Sequence, residues 1–286
     1  MSDKVLKKYF PIFVLPTLIA FTIAFIIPFF MGIYLSFCKF MTVGDAEFTG
    51  LSNYIYIFTK DESFLTALWR TVRFTLVSVV LINLGAFALA LLLTKKLPGT
   101  NIFRTIFFMP NLIGGIVLGY IWGEILDTIT QKVFGLTFTH SSQDFGFWGL
   151  IVVMCWQMMG YMMIIYIAGI QNIPEDVMEA AKIDGATPFQ ILYKITIPLV
   201  MPSVTICLFL TLSNSFKLYD QNLALNGREA RTRLIALDIG ETFYKGGPFA
   251  AEFAGRGQAK AVIFFIIVAI VTFAQLRLTR SKEVES

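Results

Sequence analysis

The sequence predicts an all-α, polytopic membrane protein with about six transmembrane helices. Three observations carry that reading. Hydrophobic residues make up 56% of the chain and the mean hydropathy is +0.72, far above the balance of a water-soluble domain. Six apolar stretches are each long enough for the roughly 20 residues of helix that cross a hydrocarbon core, where every backbone polar group must be bonded internally. Lysine and arginine also concentrate on one side of those stretches, as the positive-inside rule expects of a multi-pass protein. The whole chain, 1–286, reads as a single transmembrane domain.

The first span is expected at 9–37. Its apolar run far exceeds the roughly 7 to 15 residues of a signal-peptide core, and no small-residue cleavage site follows, so it is expected to stay in the mature protein. Pro11, Pro16 and Pro28 suggest kinks or a broken helix there. The remaining spans are expected at 72–94, 105–126, 147–170, 199–219 and 260–278.

Lys4, Lys7 and Lys8 precede the first span, Lys95, Lys96 and Arg104 lie between the second and third, and Arg277, Arg280 and Lys282 follow the sixth. Those sites share one side of a six-span protein, which places both termini in the cytoplasm. Asp45, Glu47, Asp61, Glu62, Asp127 and Asp144 fall on the other side, and Trp69, Trp122 and Trp148 mark outer span ends, where amphipathic rings prefer the interface. One loop resists the rule. The stretch 221–259 carries Arg228, Arg231, Arg233, Lys245 and Arg256 on the outer face, interspersed with Glu229, Asp238, Glu241 and Glu252.

Between the fourth and fifth spans lies a hydrophilic island, residues 173–198, reading IPEDVMEAAKIDGATPFQILYKITIP. Physical grounds alone make it two short helices. Pro174 suits a first helical position, and Glu175 and Asp176 sit against the positive end of the helix dipole. Gly185 supplies a left-handed stop, Thr187 a cap and Pro188 the next helix start, while Pro198 closes that helix or bends it into the following span.

Several chemistries are set aside. Cys38, Cys155 and Cys207 lack metal or redox spacing and read as small apolar packing residues. His140 is the sole histidine, so no paired-histidine metal site can form, and it reads as a solvated loop residue. No phosphate-binding loop occurs, which leaves the chain without a cradle for nucleotide phosphates. The modest basic excess follows from membrane topology rather than nucleic acid. No catalytic residue, metal or cofactor is expected.

The pattern Glu179-Ala180-Ala181, Gly185, Ile195 and Pro198 resembles the "EAA loop" of the membrane subunits of ATP-binding-cassette importers, with Ile197 where a Leu is usual. The segments 48–75, 103–122, 216–225 and 257–265 are similar to carbohydrate-importing permeases, a subgroup exemplified by the larger membrane subunit of maltose transporters. Where that subgroup has Thr-x-Gly-Gly-Pro soon after the fifth span, this chain has Leu225-Asn226-Gly227-Arg228, and its own Gly246-Gly247-Pro248 lies further on as a turn signal.

The resemblance implies a type I importer permease fold in a bacterial plasma membrane. It further implies a second, related permease, two cytoplasmic ATP-binding subunits that carry hydrolysis, an extracytoplasmic sugar-binding protein and a carbohydrate substrate, an oligosaccharide before a monosaccharide, polyol or glycerol phosphate. Glu179, Ala180, Ala181, Asp184 and Gly185 would then form a cytoplasmic coupling helix docked in a groove on one ATPase. Glu179 would pair with a basic residue there, Ala180 and Ala181 would allow close approach, and Gly185 would set the turn.

Alternatives differ in what they require. A secondary transporter needs ionisable groups within spans, for which Glu124 and Asp220 near outer ends are the available acids. A membrane enzyme needs a nucleophile or metal constellation that the sequence lacks. A purely structural subunit is separated from an importer by whether the chain copurifies with an ATPase whose hydrolysis substrate stimulates.

The sugar path is expected on the fifth span, which ends in Ser213, Asn214, Ser215, Phe216, Lys217, Tyr219 and Asp220. Such polar density is costly in a membrane unless it faces a cavity or partner. On one continuous helix, Asn214, Lys217 and Gln221 share a stripe, Asp220 can pair with Lys217, and Phe216 or Tyr219 offers an aromatic face to a sugar ring. The competing reading of Lys217 and Asp220 is a pair snorkelling at the interface.

Overall fold

The computed structural model describes residues 3–95, 98–135, 143–227, 232–245 and 251–283. Lys96, His140, Arg228, Glu229, Arg231 and the turn at 246–248 lie outside the described residues. Among the described residues four helices are long and apolar enough to cross a membrane, or up to six if each of two bent helix pairs counts as one span. The chain divides into two compact units, one made of Met1–Glu62 with Ile239–Phe265 and the other of Ser63–Asp238 with Ile266–Ser286.

In the first unit, α1 (Asp3–Phe21), a π-helical turn (Thr22–Ile26) and α2 (Ile27–Leu35) run without a break. Pro11 and Pro16 sit inside α1, so the helix expected to kink or break there is not broken. The π turn answers Pro28 instead. The Ile27 N–H bonds five residues back to the Thr22 carbonyl, and this widened turn accommodates a ring that has no N–H and crowds the preceding turn. Strands β1 (Cys38–Lys39) and β2 (Glu47–Phe48) then form an antiparallel hairpin. Hydrogen bonds from the Thr42 and Met41 backbones hold the Asp45 carboxyl below the usual carboxylate range. Helix α3 (Ser52–Thr59) is tied to the hairpin by Asn53, whose buried amide donates to the Ser36 and Cys38 carbonyls at 3.0 and 2.9 Å.

Two span boundaries need correction. Helix α4 runs Glu62–Leu93, not from 72, and the last helix, α13, runs Ala251–Arg280, not from 260. The charges that mask the start of α13 are paired. Arg256 bonds Glu252 at 2.9 Å one turn away, and Lys260, 1% exposed, reaches Asp61 at 2.8 Å and the Thr242 hydroxyl at 3.0 Å. Thr242 lies on α12 (Ile235–Tyr244), so this part of the expected 221–259 loop is helical. A buried ammonium is tolerated only with such partners.

The second unit holds the larger core, including Phe74, Ile82, Leu118, Leu150, Met154 and Tyr166. The third span, expected as one helix over 105–126, is a bent pair: α5 (Thr100–Phe108) continues through a 3-10 turn (Met109–Leu112) and meets α6 (Gly115–Phe134) at 102°. Pro110 withholds an N–H, while Ile113 and Gly114 are extended, which ends the helical ladder between them. Helix α7 (Gln143–Gln171) passes close to this pair, since a Cβ at Gly160 would collide with the Phe107 carbonyl. Trp122 packs edge-on against Trp156 at 5.5 Å, whereas Trp69 and Trp148 are exposed.

After α7 come α8 (Glu175–Ile183) and α9 (Pro188–Ile191), a second π turn (Leu192–Thr196) just ahead of Pro198, and a 68° bend into α10 (Met201–Phe216). The fifth span therefore stops at Phe216 rather than 219. Lys217 caps it, and α11 (Asp220–Asn226) starts anew.

A buried polar network joins α4, α7 and α10. The Tyr166 hydroxyl donates to Asn83 Oδ1 at 2.8 Å, Asn83 Nδ2 donates to Thr211 Oγ1 at 3.3 Å, and Thr211 returns its proton to the Cys207 carbonyl at 2.7 Å. Replacing Asn83 with Leu leaves a buried phenol without its acceptor. We expect Asn83→Leu to lower the stability of the folded chain by about 1–2 kcal/mol, and Leu84→Ala, at an exposed position, to change it by less than about 0.5 kcal/mol. A detergent unfolding titration reads both, and equal effects would remove the network from the stability account.

Candidate functional site: a surface helix pair and a polar cavity

Local chemistry builds the helix pair. Pro174 is the cap of α8 rather than its first residue, and Glu175 and Asp176 occupy the first turn. At the other end Ala186 N–H bonds the Ala181 carbonyl at 3.0 Å and Gly185 N–H the Lys182 carbonyl at 3.1 Å. That pair of bonds requires a left-handed residue, and Gly185 supplies it at φ +75°. Helix α9 then opens on a reciprocal cap, with Gln190 N–H donating to Thr187 Oγ1 at 3.3 Å and Thr187 N–H to Gln190 Oε1 at 2.7 Å.

Glu179, Ala180, Asp184 and Gly185 are exposed, whereas Ala181 is buried within the chain. The sequence reading did not anticipate the apolar groups beside them. Ile183 is 85% exposed, and Phe189 and Tyr193 stack nearly parallel at 6.4 Å while 74% and 66% exposed. The residues were legible in the sequence, but not that these side chains would stay uncovered.

The second feature is a cavity of about 260 Å³ lined by Asn111, Met154, Gln157, Met158, Asn214, Lys217, Leu218, Tyr219, Asp220 and Gln221. It gathers Asn214, Lys217, Tyr219 and Asp220 from the sequence-predicted path. Phe216 is buried and does not line it, so Tyr219 is the aromatic ring present. The single helical stripe is corrected, because α10 ends at Phe216. Convergence comes from the turn at 217–219, which folds Asp220 and Gln221 back toward Asn214. Lys217 and Asp220 both line the cavity, with no ion pair between them among the described residues. The Asn214 amide donates to its own helix at the Leu210 carbonyl, 2.8 Å away.

Asn111 and Gln157 are additions that sequence reasoning missed. Pro110-Asn111 followed by Gly114-Gly115 was the available signal, as was a lone glutamine in the apolar run of α7. Lys260 and Asp61 were missed as a buried ionisable pair. Among the described residues no cluster of His, Cys, Asp or Glu could hold a metal, and Cys38 and Cys207 are buried without disulfides.

The chain is 42% identical over 282 residues to the probable starch degradation products transport system permease protein AmyD of Thermoanaerobacterium thermosulfurigenes, covering 96% of this chain and 94% of that one. It is 27% identical to the arabinooligosaccharides transport system permease protein AraP of Bacillus subtilis, covering 96% and 90%. Its fold matches a chain of a bacterial ABC transporter for import of the acidic polysaccharide alginate, at a TM-score of 0.79 and 18% identity over 97% of this chain and 98% of that one. A family model for the inner membrane component of binding-protein-dependent transport systems matches residues 76–284, and the chain belongs to that family of transport permeases.

Proposed function

We propose that this transport component imports a carbohydrate, an oligosaccharide in preference to smaller solutes, as half of a translocation path in a bacterial plasma membrane. The observation that carries this reading is the polar cavity. It presents the amides of Asn111, Gln157, Asn214 and Gln221, one cation, one carboxylate and one tyrosine ring in one space. Neutral polyhydroxyl compounds need such mixed donors and acceptors beside a ring face. The substrates named for relatives, starch degradation products and arabinooligosaccharides, agree with that chemistry.

In this reading a second related permease completes the path and an extracytoplasmic binding protein delivers the sugar. Two cytoplasmic ATP-binding subunits hydrolyse ATP. Glu179, Ala180, Asp184 and Gly185 meet one of those subunits, with Ile183 and the Phe189–Tyr193 stack supplying apolar area at the contact. Ala181, covered by its own chain, fixes α8 instead. Both termini and α8 face the cytoplasm.

Substrate and path are tested together. Uptake of labelled maltotriose, an arabinotriose, trehalose and glycerol phosphate is compared in cells with and without the chain, and short α-glucans are expected to depend on it. Asn214→Leu, which removes a polar group from the cavity wall, is expected to cut that uptake roughly tenfold while the complex assembles and hydrolyses ATP. Unchanged uptake of every sugar moves the binding site away from α10.

Coupling is tested at Gly185. Among the described residues, chain neighbours aside, nothing lies within 4 Å of a Cβ built there, and aspartate is among the residues that tolerate a left-handed backbone, so Gly185→Asp is expected to insert normally. Its charge at the docking surface is expected to abolish uptake, with Gly185→Asn, the uncharged match in shape, less impaired. Normal transport by the fully expressed aspartate variant refutes docking at this turn.

Orientation is tested with cysteines at two exposed positions. Asp61 is unsuitable because it holds Lys260, so Val43→Cys reports the hairpin and Lys194→Cys the helix pair. An impermeant thiol reagent added to intact cells is expected to modify position 43 and spare position 194, and the reverse pattern inverts the topology.

A further inference from the structure

The break between α5 and α6 opens the backbone inside the bundle. Ile113 (φ −83°, ψ 128°) and Gly114 (φ −61°, ψ 141°) are extended, and the ladder resumes only with Leu118 N–H on the Gly114 carbonyl at 3.0 Å. The Ile113 carbonyl thus falls outside both helices, where a missing partner is costly. Gln157 of α7, 8% exposed, donates Nε2 to it at 3.1 Å. The other end of the same amide is also engaged, since Gln157 Oε1 accepts from Gln221 Nε2 at 2.7 Å.

Gln221 belongs to the first turn of α11, which packs tightly on the start of α6. A Cβ at Gly115 would lie 2.9 Å from the Asp220 and Gln221 side chains, and one at Gly119 would lie 2.6 Å from the Ala224 Cβ. Two glycines therefore let α11 sit against α6 while the glutamine pair bridges to α7. Both glutamines also line the polar cavity together with Asn214, Lys217 and Asp220.

We propose that Gln157 is a positioning residue for transport, a latch that holds the α5–α6 break closed through the relay from Gln221 to Gln157 to the Ile113 carbonyl, and that a saccharide in the cavity releases. The inference rests on the carbohydrate reading of that cavity. A sugar hydroxyl that accepts the particular Gln221 Nε2–H now given to Gln157 Oε1 displaces that bond. Once Gln221 is drawn away, the Gln157 side chain loses one of its two anchors and its hold on Ile113 weakens. Seating of the solute is then felt at the bend between two span segments, by groups that need not touch the sugar.

Gly114 reports on the latch. Among the described residues, chain neighbours aside, nothing lies within 4 Å of a Cβ placed there, and its backbone suits any residue, so Gly114→Cys keeps the break intact. The assembled complex with its binding protein is reconstituted in liposomes, and maleimide labelling is quantified on the peptide carrying position 114, with and without maltotriose. With Gln157 and Gln221 present, maltotriose is expected to raise the labelling rate about three- to tenfold, the scale of one hydrogen bond. Gln157→Met, unbranched and of similar size, is expected to give the fast rate without sugar and no further response. Gln221→Met removes the anchor that the sugar would draw away, so it should raise the sugar-free rate and lose the response, which tests the relay even if the Gln157 variant fails to assemble.

A sugar response that survives in either variant overturns the latch. Should that happen while Asn214→Leu loses uptake, the cavity reading stands and only the latch falls. If maltotriose changes labelling in no background and Asn214→Leu imports normally, both fall together.

Discussion

Backbone polar groups inside a hydrocarbon layer need a protein partner, and the breaks in the described helices of this chain are organised around that constraint. Straight helix satisfies it automatically. Where prolines interrupt the ladder, two remedies appear. Ahead of Pro28 and Pro198 the helix widens by one residue, so that Ile27 and Ile197 bond to carbonyls five positions back. At Pro110 the ladder is abandoned, and a side chain from another helix, Gln157, takes over a carbonyl the break leaves open. The end of α4 follows the second pattern, with the Arg104 guanidinium donating to the Leu93 carbonyl at 2.8 Å.

The same constraint explains why polar side chains cluster instead of scattering. Asn83, Tyr166 and Thr211 satisfy one another across three helices, and Lys260 is buried only because Asp61 and Thr242 meet it. Each group alone would be a liability in an apolar bundle, and together they fix how neighbouring helices register. At the cavity near Asn214 two opposite charges are left apart. Lys217 and Asp220 line one space without pairing, and such a surface suits a ligand rich in hydroxyls better than a packed interface.

How much of this was legible follows from the range of the interaction concerned. Gly185, Thr187 and Pro188 act on their immediate neighbours, so the helix pair could be read from the chain, with Pro174 misplaced by one position. The starts of α4 and α13 were hidden because Glu62 and Lys260 look like loop residues until their surroundings are known. The bend at Gly114-Gly115 had a local signal that a smooth hydropathy window erases. Polar residues after Ser213 pointed to the right region for the wrong reason, since a stripe on one helix was expected and a turn between two helices delivers the same groups. The bond from Gln157 to Ile113 joins α7 to a break in another span, and no local pattern announces it.

These features assign different mechanical parts to the second unit. Helix α8 is short, closed at its far end by two bonds around Gly185, and followed at once by a capped α9. A segment fixed in this way moves as a body, so a push on its exposed face is passed to the chain at either end instead of being absorbed by fraying. The bends at Val200 and at Ile113–Gly114 are the opposite kind of part. They concentrate backbone freedom at a few residues, and at the second bend that freedom is restrained by a single amide whose partner also faces the cavity. A permease must respond both to its solute and to force from its energy source. Rigid ends and restrained breaks in one covalent path provide for both.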